Sequence, residues 1–170
     1  MKLISQKYKL LNKELHDTNK TYGKGGAKHL KAVKKIRESY NCDTVLDYGC
    51  GKATLSEKAR FAVNNYDPCI VKYSARPDPA DLVVCTDVLE HVEIDLIGNV
   101  IADIHRLAVK VTYFVIALRY DKSKTMPDGS NPHKIVQPAS DWIELIGDYF
   151  VIENMDELKE YELKLVAVPK

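Results

Sequence analysis

Apolar positions along this chain follow two rhythms. Near the N-terminus they recur every three to four residues. Leu3, Ile4, Tyr8, Leu11 and Leu15 predict an amphipathic helix over residues 3–15, and Leu30, Val33 and Ile36 mark the buried stripe of another over residues 27–39. Tyr22-Gly23-Lys24-Gly25-Gly26 separates the two. The rhythm then changes to unbroken apolar runs: Val45-Leu46, Leu82-Val83-Val84-Cys85, and the stretch from Val111 to Leu118. Such runs suit strands buried on both faces of a parallel sheet. Helical spacing returns between the last two runs, at Leu96, Ile97, Val100, Ile101, Ile104 and Leu107. Residues 53–60 and 139–147, the latter with Trp142, Ile143 and Ile146, read as further helices, and 61–66 as a short strand. Residues 149–153 and 161–168 read as strands whose connection is too short for a crossover helix, so they should form an antiparallel hairpin. Strands alternating with helices predict an α/β fold, mostly parallel, with an antiparallel final strand.

Composition narrows the class. At 170 residues, 45% hydrophobic and 29% charged, the chain suits one globular domain with a sizeable core. Cys42, Cys50, Cys69 and Cys85 form no Cys-x-x-Cys pair, and three of them lie at or beside predicted strands. They read as reduced small hydrophobes, and no metal site is expected. The opening residues contain no long apolar region and no run approaches a membrane span, so a soluble, cytoplasmic protein without membrane contact is expected. The net charge of +1 hides an asymmetry: residues 1–37 hold 11 Lys and Arg against Glu14 and Asp17. One reading is a basic arm that guides a nucleic-acid or nucleotide partner. The other is a solvated lysine-rich helix balancing an acidic body, since Arg and aromatic interleaving are lacking. Residues 1–40 are accordingly read as a basic helical cap and 41–170 as the main domain. The Tyr22–Gly26 break is either a lid hinge or a plain connector.

The chemistry concentrates where predicted strands end. Thr44-Val45-Leu46-Asp47-Tyr48-Gly49-Cys50-Gly51 is a strand running into acid-x-Gly-x-Gly, with glycines that permit positive φ and close approach of a ligand to bare backbone. A dinucleotide fingerprint would place Gly where Thr54 stands, which makes a nicotinamide oxidoreductase the weaker alternative. A phosphate-binding loop would need a hydroxyl residue where Ala53 follows Lys52. Asp67, 20 residues after Asp47, stands at the interval where an acid meets ribose hydroxyls, and Pro68 offers a flat surface beside an adenine, although Asp-Pro alone is also a simple turn. Polar residues begin abruptly at Thr86 and Asp87, after the third run. The long connection over residues 119–138 carries Asn131 and His133. His133 is the candidate general base, against a turn-stabilising role, because an imidazole can take a proton near neutrality.

Asp47-Tyr48-Gly49-Cys50-Gly51-Lys52-Ala53 resembles the first motif of the class I S-adenosylmethionine-dependent methyltransferases, with Ala53 in place of its third glycine. Asp87-Val88-Leu89-Glu90-His91-Val92 is similar to the fourth-strand segment of small-molecule members, which closes over the reacting methyl group. The resemblance extends from Asp43 onward and looks most like small stand-alone proteins of phages and bacteria. It implies a Rossmann-like, doubly wound, three-layer α/β/α fold. Here the third-strand region is abbreviated, since only residues 71–74 could supply that strand. It also implies S-adenosylmethionine as cofactor, held by Tyr22, Asp47, Tyr48, Gly49, Cys50, Gly51, Asp67, Pro68, Thr86 and Asp87. Asp87, His91 and His133 are the implied catalytic candidates, and Glu90, Asn131 and His133 the substrate-binding ones; His91 could equally be a packed helix-start residue. The expected activity is methyl transfer to a small-molecule, nucleotide or nucleic-acid acceptor. The alternative is a non-catalytic cofactor-binding partner or regulator.

Overall fold

A computed structural model describes residues 1–158 and 161–170. Helices α1 (Gln6–Thr18) and α2 (Leu30–Ser39) lead into β1 (Val45–Tyr48), α3 (Thr54–Lys58), β2 (Asn64–Tyr66) and β3 (Ala80–Thr86). Helix α4 (Ile97–Leu107) passes directly into β4 (Ala108–Ala117), and α5 (Ala139–Gly147), β5 (Phe150–Leu158) and β6 (Glu162–Pro169) complete the chain. The strands lie in the order β2-β1-β3-β4-β6-β5. β1 pairs parallel with β2 and β3, and β3 with β4, whereas β6 runs antiparallel to both β4 and β5.

The period-2 alternation of strand side chains divides the core into two layers. Leu46, Val83, Cys85, Phe114 and Ile116 pack with Ile101, Ile104 and Leu107 of α4 and Trp142 of α5. Val45, Leu82, Val84, Val111 and Val115 pack on the other face with Val33 and Ile36 of α2 and Leu55 of α3. The result is the doubly wound, three-layer arrangement. Each fully buried aliphatic side chain contributes about 2 kcal/mol, which makes these two layers the main source of stability. Among the described residues no helix is long and apolar enough to cross a membrane.

Residues 71–74, the candidate third strand, instead contain a 3₁₀ turn at Val71–Tyr73. Val71 is 80% exposed, and Pro77 and Pro79 further along lack the N–H a strand ladder needs. The three-residue β2 therefore forms the sheet edge. At the opposite edge β5 runs on to Leu158, through a stretch read from sequence as a connector. Glu153, Asn154, Met155 and Asp156 are all exposed there, so no apolar alternation marks the strand, and backbone pairing with β6 defines it.

Candidate active site

The connections of the sheet diverge at β1, whose chain continues to β2 on one side while β3 lies on the other. Parallel sheets open a crevice at such a point, beyond the carboxyl ends of the strands. A cleft of about 500 Å³ lies there, lined by the turn after β1, the ends of β2 and β3, α1, and Thr21 to Gly26.

Gly49 and Gly51 hold φ of 77° and 53°. A Cβ on Gly49 would stand 2.4 Å from Val88 Cγ2, and one on Gly51 would stand 2.6 Å from the Gly23 carbonyl oxygen. The turn is thus enclosed so closely that glycine alone fits both places. The Gly49 and Cys50 N–H groups donate to the Tyr66 carbonyl at 2.7 and 3.0 Å. Ala53, at the third-glycine position, keeps a left-handed φ of 57°, at a conformational cost of about 1 kcal/mol. The Asp67 carboxylate ties the two strand ends together, its Oδ2 accepting from the Gly51 N–H at 3.1 Å and its Oδ1 from the Cys69 N–H at 2.8 Å. Each oxygen retains a second lone pair.

Asp47 is 2% exposed, and its Oδ2 has no hydrogen-bond partner among the described residues. Burial, reinforced by the nearby Asp67 charge, pushes its carboxyl up to about 7. Pro68, Thr86 and Asp87 also line the cleft. The Tyr48 hydroxyl donates to Asp103 of α4 at 3.1 Å, so its polar end is engaged behind the sheet. Cys50 is buried, which raises its thiol well above the ordinary value.

The N-terminal segment is stitched across this turn. The Lys52 N–H donates to the Gly23 carbonyl at 2.8 Å, and its ammonium to the Asn19 carbonyl at 2.6 Å. Thr54 Oγ1 accepts from the Ala27 N–H and donates to the Lys24 carbonyl, each at 3.1 Å. The Tyr22 hydroxyl donates to Asn12 Oδ1 at 3.0 Å and lies 3.5 Å from His91 Nδ1. Asp87, at a φ of 56°, pairs with Lys28 at 2.9 Å. Asn12, His16 and Lys28 line the cleft, and the sequence reading singled out none of them. Periodicity marks α1 as a helix but carries no sign of the surface on which it docks.

At the far end the His91 and His133 rings meet edge to face, with centroids 4.8 Å apart. His91 Nδ1 donates to the Pro132 carbonyl at 3.1 Å, and His133 Nδ1 to the Arg119 carbonyl; a carbonyl only accepts, so in both rings the hydrogen sits on Nδ1. Burial, aided by His133, lowers His91 to about 4. Glu90, expected at the substrate, is wholly buried behind this pair. Its Oε1 accepts from the Ala117 N–H at 3.0 Å, and its own carbonyl accepts from the Lys134 and Ile135 N–H groups at 2.7 and 3.1 Å. Burial and the Asp87 charge raise its carboxyl to about 8. Asn131, also expected at the substrate, is engaged within its own loop: Oδ1 accepts from the Asp121 and His133 N–H groups, and Nδ2 donates to the Asp121 carbonyl.

No protein-family model matches this chain, and no curated protein sequence does. Solved structures do match it. One is the 1,6-didemethyltoxoflavin-N1-methyltransferase of Burkholderia thailandensis, with 1,6-didemethyltoxoflavin and S-adenosylhomocysteine bound: TM-score 0.67, 15% identity, 100% of this chain and 92% of that one covered. Another is the magnesium protoporphyrin IX methyltransferase of Synechocystis PCC 6803 with S-adenosylmethionine bound, at TM-score 0.65, 16% identity, and 98% and 99% coverage. The N-methyltransferase NodS of Bradyrhizobium japonicum, in complex with S-adenosylhomocysteine, gives 0.59, 14%, and 97% and 99%. This chain therefore has the fold of the class I S-adenosylmethionine-dependent methyltransferases.

Proposed function

We propose that this chain transfers a methyl group from S-adenosylmethionine to a small-molecule or nucleotide acceptor held at the His91–His133 end of the cleft. The observation that carries this reading is Asp47. Its buried, unpartnered Oδ2 borders a turn of bare glycine backbone, and such an oxygen is destabilising until a donor reaches it. The ammonium of the cofactor's amino-acid end is such a donor. Asp67 would accept from the ribose hydroxyls through its remaining lone pairs, Pro68 would lie beside the adenine, and Tyr22, Thr86 and Asp87 would close around the methionine end. Bound S-adenosylmethionine supplies a methyl group on a sulfonium, open to in-line displacement. The chain's own task is to hold the acceptor at near-attack distance and exclude water. We assign residues 1–40 as the cap that does the latter over the domain of residues 41–170.

Calorimetric titration with S-adenosylmethionine, S-adenosylhomocysteine and NADH tests the reading. Micromolar binding of the two adenosyl ligands, about 8 kcal/mol, is expected, with none for NADH; binding of NADH alone would overturn the assignment. Incorporation of labelled methyl into nucleotides, oligonucleotides or small-molecule pools then separates an enzyme from a binding-only regulator.

A further inference from the structure

Glu90, His91 and His133 each bring one potential ligand atom within 4.8 Å of the other two. Two separate segments supply them: the 3₁₀ turn Leu89–His91 after β3, and the loop after β4. Both imidazoles have Nδ1–H engaged by backbone carbonyls, of Pro132 and Arg119, which leaves a lone pair on each Nε2. Proteins orient metal-ligating histidines in this way. Glu90 Oε1 is taken by the Ala117 N–H at 3.0 Å, whereas Oε2 is buried with no partner among the described residues. Each residue thus offers one candidate ligand atom, His91 Nε2, His133 Nε2 and Glu90 Oε2, the Glu90 carboxyl giving up its proton as an ion binds.

We propose that Glu90, His91 and His133 bind one divalent transition-metal ion, of the Zn²⁺ or Mn²⁺ kind, at the acceptor end of the cleft. Two imidazole nitrogens and one carboxylate oxygen suit such ions better than Mg²⁺ or Ca²⁺, which prefer oxygen alone. Ligand bonds of about 2.1 Å set tetrahedral donor atoms roughly 3.4 Å apart, so the three groups close inward by about 1 Å on loading. His91 and His133 line the cleft; the remaining coordination positions face it and take water or an oxygen of the acceptor. The site departs from the sequence reading, which expected no metal, and it stands independently of the cofactor assignment.

The test uses the full chain, stripped of metal and free of cofactor, titrated calorimetrically with ZnCl₂, MnCl₂ and MgCl₂. One Zn²⁺ or Mn²⁺ per chain is expected, bound at least tenfold more tightly than Mg²⁺, with a raised Tm. His133→Ala, at a partly exposed loop position, and His91→Ala should each weaken binding at least tenfold while keeping the parent's circular dichroism. His105→Gln, on α4 where the ring packs on Tyr149 and Phe150, should leave binding unchanged. Absence of Zn²⁺ and Mn²⁺ binding, or binding by His133→Ala equal to the parent's, would overturn the site. Since neither cofactor nor methyl transfer enters the readout, its failure and that of the methyltransferase reading are told apart.

Discussion

Asp47 shows how one residue reports on the cleft. Its carboxyl stands near 7 in the folded chain against an ordinary 3.8, so between those values the native state binds more protons than the unfolded one. Stability from this group is fully present below about pH 4 and is lost as pH rises through 7. Asp47→Asn removes that dependence. The variant should gain on the order of 2 kcal/mol over the parent at pH 8 and much less at pH 5, read from denaturant midpoints; an equal difference at both would refute the buried-charge account. Its affinity for S-adenosylmethionine should move the other way. In the parent, Kd should tighten about tenfold from pH 6 to pH 8 as the carboxylate ionises to meet the ammonium, and in Asp47→Asn the profile should be flat. Gly49→Ala combines a φ of 77° with a Cβ placed 2.4 Å from Val88 Cγ2. A loss of about 2–4 kcal/mol is expected, and Val88→Ala in the same chain should recover the steric part but not the backbone part. The glycines, Asp47 and Asp67 were legible in the sequence because they fall within one short motif and its spaced partner. The settings of Glu90 and Asn131 were not, since which way a side chain turns depends on contacts with Ala117 and Asp121, which are distant or loop-bound.

Elements were legible where periodicity was long. The stripe of α4 marks a helix whose Ile104 has no exposed surface, and Ile104→Ala should cost about 2–5 kcal/mol, measured by chemical denaturation. Short elements were legible only with loose bounds: residues 53–60 and 61–66, expected as helix and strand, hold an α3 of five residues and a β2 of three, too few for a period to fix their ends. The exposed half of β5 escaped because it has no apolar side to show. The segment joining α1 to α2 is held by long-range backbone bonds. Gly23, at a φ of 73°, would set a Cβ 2.6 Å from His16 Cε1, so Gly23→Ala should push the strap off the glycine turn. Cofactor affinity is expected to fall about tenfold, with a smaller loss of Tm than in Gly49→Ala. An unchanged Kd would mean that the strap does not close the site.

For the whole molecule, binding of the proposed cofactor would be linked to folding. S-adenosylhomocysteine at 100 times its Kd should raise unfolding stability by about 2.7 kcal/mol, seen as a concentration-dependent Tm; a Tm indifferent to ligand would count against a preformed site. The charge asymmetry between residues 1–37 and the rest also belongs to this scale. If the basic segment engages nucleic acid, fluorescence anisotropy with a labelled oligonucleotide should show binding that falls steeply between 50 and 200 mM salt; no binding at the lower salt favours the solvated helix. By itself the sequence determined the α/β alternation, the buried strands and the glycine turn, because these are local properties of hydrophobic period and backbone freedom. Tertiary structure decided which residues face the cleft. Docking α1 across the turn brings Asn12 and His16 to it, and folding the loop after β4 against the turn after β3 sets His133 beside His91 and Glu90. Such meetings join residues far apart in the chain, and only the packing of the whole core brings them together.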